Sequence, residues 1–234
     1  MSITVLTAAS SNHFKTVIQF LKSVPPSFPV IFYDIGLSNA EFAELKNKFP
    51  AVQHRTWDFS KYPDWMALSA PCSGAYAWKP LIISEVYSEL KDGILLWQDS
   101  GNIMNNEIYH LKSIIEKNKI YSPTSSGTIS TWTHPTALRC MKVPDSFLSL
   151  QKRNAAAIGL LCNDRFVLNF VNEFVELAQI KDVILPEGAD RLNHRHDQSI
   201  LTCLYYKYGI PREDRYIGFT IHNDVDPEWH NGVD

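Results

Sequence analysis

Residues 3–57 read ITVLTAASSNHFKTVIQFLKSVPPSFPVIFYDIGLSNAEFAELKNKFPAVQHRTW. The run Ile3 to Ala8 is short, apolar and β-branched in character, the pattern of a buried strand. Ser10, Ser11 and Asn12 then offer helix N-caps. Phe14, Val17, Ile18 and Leu21 follow at helical spacing, and Pro25-Pro26 stops that helix. Pro29 to Tyr33 reads as a second strand. Asp34 to Ser38 turns into a second helix, from about Ala40 to Lys48, and Val52 to Trp57 reads as a third strand. Strand, helix, strand, helix, strand in this order implies a parallel sheet with helices packed on it. The first turn carries no Gly-x-Gly-x-x-Gly, and no Walker A sequence occurs, which disfavours a dinucleotide fold and a P-loop enzyme.

The same reading extends outward. Asp58 to Ser73 is an aromatic-rich loop holding Phe59, Tyr62 and Trp65. Trp78 to Leu90 is a helix with Pro80 in its first turn. Ile94 to Trp97 is an apolar strand ending at Gln98-Asp99-Ser100-Gly101-Asn102. Glu107 to Lys117, Arg165 to Gln179 and Gln198 to Tyr208 are helices, Thr124 to Thr128 is a turn-rich stretch, and Val183 to Leu185 is a short strand. The polar tail from Asn223 reads as mobile. No repeat or linker divides the chain, and 234 residues suit one α/β domain.

Composition narrows the function. With 22 Lys and Arg against 25 Asp and Glu, the net charge of −3 argues against a nucleic-acid polymer as partner. No run approaches a membrane span or a secretory leader, so the sequence points to a cytoplasmic protein with no transmembrane segment. Cys72, Cys140, Cys162 and Cys203 are scattered, form no Cys-x-x-Cys pair, and read as free thiols. Aromatic residues make up 12% of the chain, with 6 Trp, which is high for a plain scaffold.

In a parallel α/β sheet, ligands bind beyond the carboxyl ends of the strands. Thr7 to Asn12, Asp34 to Ser38 and Asp99 to Asn102 all fall there. Asp99, directly after Leu95-Leu96-Trp97, is placed to hold a divalent cation bridging two phosphates. The competing role is to cap its own turn through Ser100-Gly101. Lys79 opens a helix, where a phosphate is attracted and a lysine adds a point charge; otherwise it is a solvated surface lysine. Asn193-His-Arg-His-Asp-Gln198 sets four ionisable side chains in a row before a helix. Asp197 suits a general base or a stabiliser of positive charge at a sugar carbon, against a plain helix cap. Arg195 suits a phosphate. His194 and His196 lack a Cys or Glu partner at zinc-site spacing.

The runs Val5 to Phe14, Tyr33-Asp-Ile-Gly-Leu-Ser38, Gly74-Ala-Tyr-Ala-Trp-Lys-Pro80, Leu96-Trp-Gln-Asp-Ser-Gly-Asn102 and His194-Arg-His-Asp-Gln-Ser199 occur in this order. Together they resemble the nucleotide-sugar glycosyltransferases of the GT-A fold, in the branch carrying a Tyr-Ala-Trp-Lys-Pro block. The resemblance spans roughly residues 3 to 222. It implies an α/β fold: one GT-A, Rossmann-like domain over residues 1–234, with a mixed, mostly parallel sheet flanked by helices. It also implies transfer of a sugar from a nucleoside-diphosphate donor to a hydroxyl of a glycan or other acceptor, in a setting such as polysaccharide biosynthesis.

Carried over residue by residue, the resemblance places Thr7, Ala8 and Ala9 at the nucleoside and Asp34 at its base. Lys79 falls on the approach to the metal motif, and Asp99 matches the first carboxylate of Asp-x-Asp. Asp197 and Gln198 stand at the reacting sugar carbon. A divalent cation, Mn²⁺ or Mg²⁺, would be held by Asp99, Asn102 and His222. The second carboxylate of Asp-x-Asp falls at Gly101, which supplies no ligand; in a metal-free variant Lys79 and Arg195 neutralise the diphosphate instead. Trp65, Trp132 and His134 are the candidate acceptor contacts, because aromatic faces suit sugars. The lost carboxylate also keeps open a non-catalytic nucleotide- or sugar-binding protein on the same fold. A hydrolase using Asp99 as nucleophile would need a second acid close by, and the local sequence provides none.

Overall fold

The computed structural model describes residues 2–221. His222 and the tail from Asn223 therefore lie outside the described residues. The strands are β1 (Ile3–Ala9), β2 (Val30–Asp34), β3 (Gln53–Thr56), β4 (Ile94–Gln98), β5 (Ile103–Met104), β6 (Ile120–Tyr121), β7 (Thr124–Thr128), β8 (Gln151–Arg153), β9 (Ala157–Leu161) and β10 (Phe219–Thr220). The helical elements are α1 (Phe14–Ser23), α2 (Asn39–Lys48), α3 (Pro71–Ala75), α4 (Trp78–Glu89), α5 (Ile108–Asn118), α6 (Ile129–Trp132), α7 (Pro135–Cys140), α8 (Arg165–Ala178), α9 (Lys181–Ile184) and α10 (Asp197–Lys207).

Six strands form one sheet in the order β3-β2-β1-β4-β9-β6. The pairs β3/β2, β2/β1 and β1/β4 are parallel. β9 runs against both β4 and β6. The sheet is thus mostly parallel, as the opening alternation predicts, with one reversed strand that the opening does not foretell. The chain moves outward from β1 through β2 to β3, then crosses to the other flank of β1 to lay down β4. That crossing makes the carboxyl ends of β1 and β4 a topological switch point, where a crevice opens.

Alternation along the strands explains the two cores. Leu6, Ala8, Ile31, Tyr33, Leu95, Trp97, Ile158 and Leu160 face one side, under α4, α8 and α10. Val5, Ala9, Val30, Phe32, Ile94 and Leu96 face the other, under α1, α2 and α5. Val167, Phe170, Val171, Phe174 and Ala178 form the buried stripe of α8. Each large side chain there contributes about 1.5–3 kcal/mol by leaving water. Helix starts are chemically marked. Ser38 and Glu41 form a reciprocal capping box on α2, and Asp164 accepts from the backbone of Phe166 and Val167 at the head of α8.

Three local expectations are corrected. Thr124 to Thr128 is a strand, not a turn, because it pairs antiparallel with β8. Val183 to Leu185 is not a strand; Lys181–Ile184 winds into α9, with Ile184 N donating to the Ile180 carbonyl. A short apolar run suits either state, and here helical neighbours decide it. The loop from Asp58 to Ser73 contains two 3₁₀ turns, at Phe59–Lys61 and Asp64–Met66, and runs into α3.

α3 is unusual. Cys72, Ser73, Gly74, Ala75 and Tyr76 all have φ between 52° and 64°, one left-handed turn in succession. This conformation costs roughly 1–2 kcal/mol for each residue with a Cβ. Gly74 is obligatory within it, since a Cβ there would stand 2.1 Å from the Met66 carbonyl oxygen. Trp78 Nε1 donates to the Ser73 carbonyl at 3.2 Å and helps hold the turn against the start of α4.

Candidate active site

The carboxyl edge of the sheet opens into a cavity of about 560 Å³. Its walls come from both flanks of the switch point. Ala8, Ala9, Ser10, Asn12, His13 and Ile35 supply the β1/β2 side. Lys79, Trp97, Asp99, Ser100 and Gly101 supply the middle. Lys152, Asn154, Ala155, Ala156, Arg191, Arg195, His196, Asp197 and Gln198 supply the far side. Because β9 is reversed, the residues before it arrive at the carboxyl edge; Ala157 pairs with Gln98, the last residue of β4.

The centre of the cavity is a buried ion network. Lys79 Nζ lies 3.0 Å from Asp99 Oδ1 and 3.1 Å from Asp197 Oδ2, and it donates to the Ala155 carbonyl at 3.3 Å. The approach to Asp197 is an ion pair too oblique for a hydrogen bond, but charge attraction needs no fixed angle. Trp97 Nε1 donates to the same Asp99 oxygen at 2.8 Å. The Lys79 and Asp197 side chains are 5% and 6% exposed, against 33% for Asp99. Burial opposes the Lys79 charge, yet the Asp197 and Asp99 carboxylates hold its ammonium well above the usual lysine range. Burial pushes the Asp197 carboxyl up, while Lys79 pulls it back and Asp99 pushes with burial.

This geometry settles the competing local roles. Lys79 is not a solvated surface lysine. Asp99 does not cap its turn: the Asn102 amide closes that turn on the Asp99 carbonyl, and the side chain faces Lys79 and Trp97. Asp197 opens α10 without capping it; the N-cap position is His196, whose side chain makes no cap bond either. His196 has φ 49° and ψ −121°, a strained backbone that carries the chain into α10 beside the cavity.

Of the predicted site residues, Ala8, Ala9, Lys79, Asp99, Arg195, Asp197 and Gln198 line the one cavity, and Thr7, Asp34, Asn102, Trp65, Trp132 and His134 are not among its lining residues. Thr7 is fully buried within β1. Asp34 Oδ1 accepts from the amides of Gly36 and Leu37 at 2.8 and 2.7 Å, capping its own turn. Asn102 is fully buried, its Nδ2 donating to Gln98 Oε1 at 2.6 Å and the Ala156 carbonyl at 2.8 Å, which ties β4 to the approach of β9. Trp65 packs against the core. His134 caps α7 through Nδ1, and its amide donates to His194 Nδ1. Trp132 stands just behind the wall, with Lys152 Nζ 4.8 Å and Arg195 Cζ 4.2 Å from its ring centroid.

Lys152, Arg191, Tyr76 and Asn154 line the cavity and were not marked by the sequence. Lys152 sits in a short strand whose partner, β7, reads as a turn, so no local signal places it. Tyr76 belongs to the same Tyr-Ala-Trp-Lys-Pro block as Lys79, a signal that could have found it.

The Asp-x-Asp resemblance implies a divalent cation at this site. Among the described residues, no group of three His, Cys, Asp or Glu side chains is arranged to hold a metal. Asp99 Oδ1 is already taken by two donors, Asn102 faces the β4/β9 joint, and Gly101 has no side chain. His194 and His196 stack edge to face at 5.3 Å with both Nε2 atoms unpartnered, but among the described residues no third His, Cys, Asp or Glu side chain completes a site with them. Burial pushes the His194 imidazole down to about 3. The described residues do not fit a resident metal ion; the middle of the site is filled by an ammonium.

A family model described as "Protein of unknown function (DUF1647)" matches residues 1–84, fewer than half of the chain. No curated protein matches the chain. Solved structures do. The apo bifunctional glycosyltransferase WbbM aligns over 99% of this chain and 43% of its own, with a TM-score of 0.60 and 10% identity. Apo mouse xyloside xylosyltransferase 1 aligns over 92% of this chain and 85% of its own, with a TM-score of 0.51 and 8% identity. The glycosyltransferase GlyE of Streptococcus pneumoniae TIGR4 aligns over 92% and 45%, with a TM-score of 0.50 and 12% identity. The chain thus spans less than half the length of WbbM and of GlyE. At these identities the likeness shows the fold: a GT-A-like glycosyltransferase fold. Among the described residues, no helix is long and apolar enough to cross a membrane.

Proposed function

We propose that the protein is a glycosyltransferase that moves a sugar from a nucleoside diphosphate to an acceptor hydroxyl. The observation that carries this reading is the Asp99–Lys79–Asp197 network, set in a cavity at the switch point of a GT-A-like sheet. A structural ion pair has no need of a 560 Å³ cavity around it, and buried charges with shifted titration cluster where chemistry is done. The solved neighbours of this fold carry glycosyltransferase names, which agrees with it.

The donor nucleoside lies along Ala8 to Asn12, where small side chains leave room. In the transfer, the bond from the anomeric carbon to the phosphate oxygen breaks and its electron pair stays with the diphosphate. The acceptor oxygen bonds to that carbon, and its proton departs. Asp197 is the carboxylate at the reacting carbon. In an inverting transfer it takes the acceptor proton, and in a retaining one it stabilises the oxocarbenium-like state. Its raised titration favours proton uptake, and Lys79 fixes its position.

Diphosphate release from a panel of nucleotide sugars tests this reading. Asp197→Asn is expected to lower turnover by about 10²–10⁴-fold, the usual contribution of a positioned acid or base. Binding of nucleoside diphosphates without turnover of any donor would instead identify a non-catalytic binder, the reading that Gly101 in place of the second carboxylate favours.

A further inference from the structure

Lys152 is 5% exposed, lines the cavity, and makes no hydrogen bond or ion pair with any described residue. Its ammonium lies over the Trp132 ring, which Arg195 shares. Arg195 also has no carboxylate partner among the described residues, and its Nε is buried without a hydrogen bond. Arg191 lines the same wall. The Trp132 platform is locked in place. Arg195 N and Ser199 Oγ donate to the Trp132 carbonyl at 3.1 and 2.7 Å, and a Cβ on Gly127 would stand 2.1 Å from Trp132 Nε1.

Two cations gathered on one ring repel each other, and ring contacts of about 0.5–2 kcal/mol each compensate only in part. Burial and then Arg195 push the Lys152 ammonium down to about 8. A folded chain that holds unpaired cations together at a cavity wall is complementary to an anion. Lys152 also lies close to the reaction centre: three residues on, the Ala155 carbonyl touches Lys79, and three extended residues span about 10 Å at most.

We propose that Lys152 and Arg195, carried on Trp132, hold the diphosphate of the donor in place of a metal ion. The inference rests on the nucleotide-sugar reading above. It explains how a site whose centre already holds two carboxyl groups accepts a dianionic donor, whose leaving group gains one more negative charge, while the described residues fit no metal. As the glycosidic C–O bond breaks, the electron pair collects on a phosphate oxygen facing fixed cations, where preorganised charge counts most.

Calorimetric titration of the full chain tests it, using UDP, GDP, CDP and ADP, their nucleosides, and inorganic pyrophosphate, each in EDTA and in Mn²⁺. A nucleoside diphosphate is expected to bind equally well in EDTA and in Mn²⁺. Lys152→Met is expected to weaken it by about tenfold or more, the scale of a charge-assisted contact, and to leave the nucleoside unchanged. Lys152→Arg should restore binding, which a purely structural role would not require. Diphosphate binding that needs Mn²⁺, or that ignores Lys152→Met in a variant shown to be folded, overturns the proposal. Lys152-dependent pyrophosphate binding with no nucleoside diphosphate bound would keep the cation clamp and sink the nucleotide-sugar reading.

Discussion

The two flanks of the cavity are built on different principles. The β1/β2 flank is neutral and local: Ala8 and Ala9 end β1, Ser10 and Asn12 follow it directly, and their polar groups satisfy one another, Ser10 Oγ donating to Asn12 Oδ1 at 2.6 Å. The β9/α10 flank is charged and assembled at long range. Lys152 from β8, Arg195 and Asp197 from the start of α10, and Lys79 from α4 meet there from widely separated stretches of chain. A neutral wall of small residues suits a nucleoside, and a wall of buried charge suits the breaking of a charged bond. The contrast teaches that stability and chemistry load the two flanks unequally.

After Asp197→Asn, the sharpest way to break the contrast is Lys79→Met. It leaves the buried Asp197 and the half-buried Asp99 without their shared cation. Breaking a buried pair in this way costs about 3–5 kcal/mol, so unfolding in urea should shift by that order and turnover should be lost. The matching change on the neutral flank, Ser10→Ala, should move unfolding by no more than about 1 kcal/mol, the worth of one ordinary hydrogen bond.

A smaller effect is read in pH. The Lys152 pKa stands at about 8 in the fold, below its ordinary 10.5. Between those values the unfolded chain holds more protons than the folded one, so the contribution of Lys152 to stability rises with pH across that window. Below it, both states are protonated and the full penalty of the buried charge applies. The stability gap by which Lys152→Met exceeds the parent should therefore be widest near neutral pH and narrow towards pH 10.5; a gap constant with pH would show that Lys152 is not strained.

The smallest effect concerns the left-handed turn that leads into the Tyr-Ala-Trp-Lys-Pro block. Cys72 has φ 53°. Cys72→Gly should raise the unfolding free energy by up to about 1 kcal/mol by removing the Cβ strain, with turnover unchanged. A loss of stability would mean that the Cys72 side chain packs more than it strains.

The same contrast separates what was legible. Ala8, Ala9, Asp99, Lys79, Asp197 and Gln198 were found because each follows a strand or opens a helix, and element ends are marked locally by periodicity and caps. Asp34 and Asn102 were placed at the right edge but not in the cavity, since short polar side chains at strand ends satisfy nearby backbone first. Lys152 could not be read at all. Its strand is three residues long, and its contact with Trp132 forms only when the paired strands β7 and β8 pack on α6 and α10.

By itself, then, the sequence determined the alternating strands and helices, the edge at which a ligand binds, and the candidate ionic residues at that edge, because periodicity and capping act over a few residues. Only the tertiary structure decided that β9 runs backwards, that an ammonium stands between Asp99 and Asp197, and that two cations share Trp132. Strand direction and buried charge pairing are fixed by residues far apart in the chain, and their free energy exists only once the chain has closed on itself.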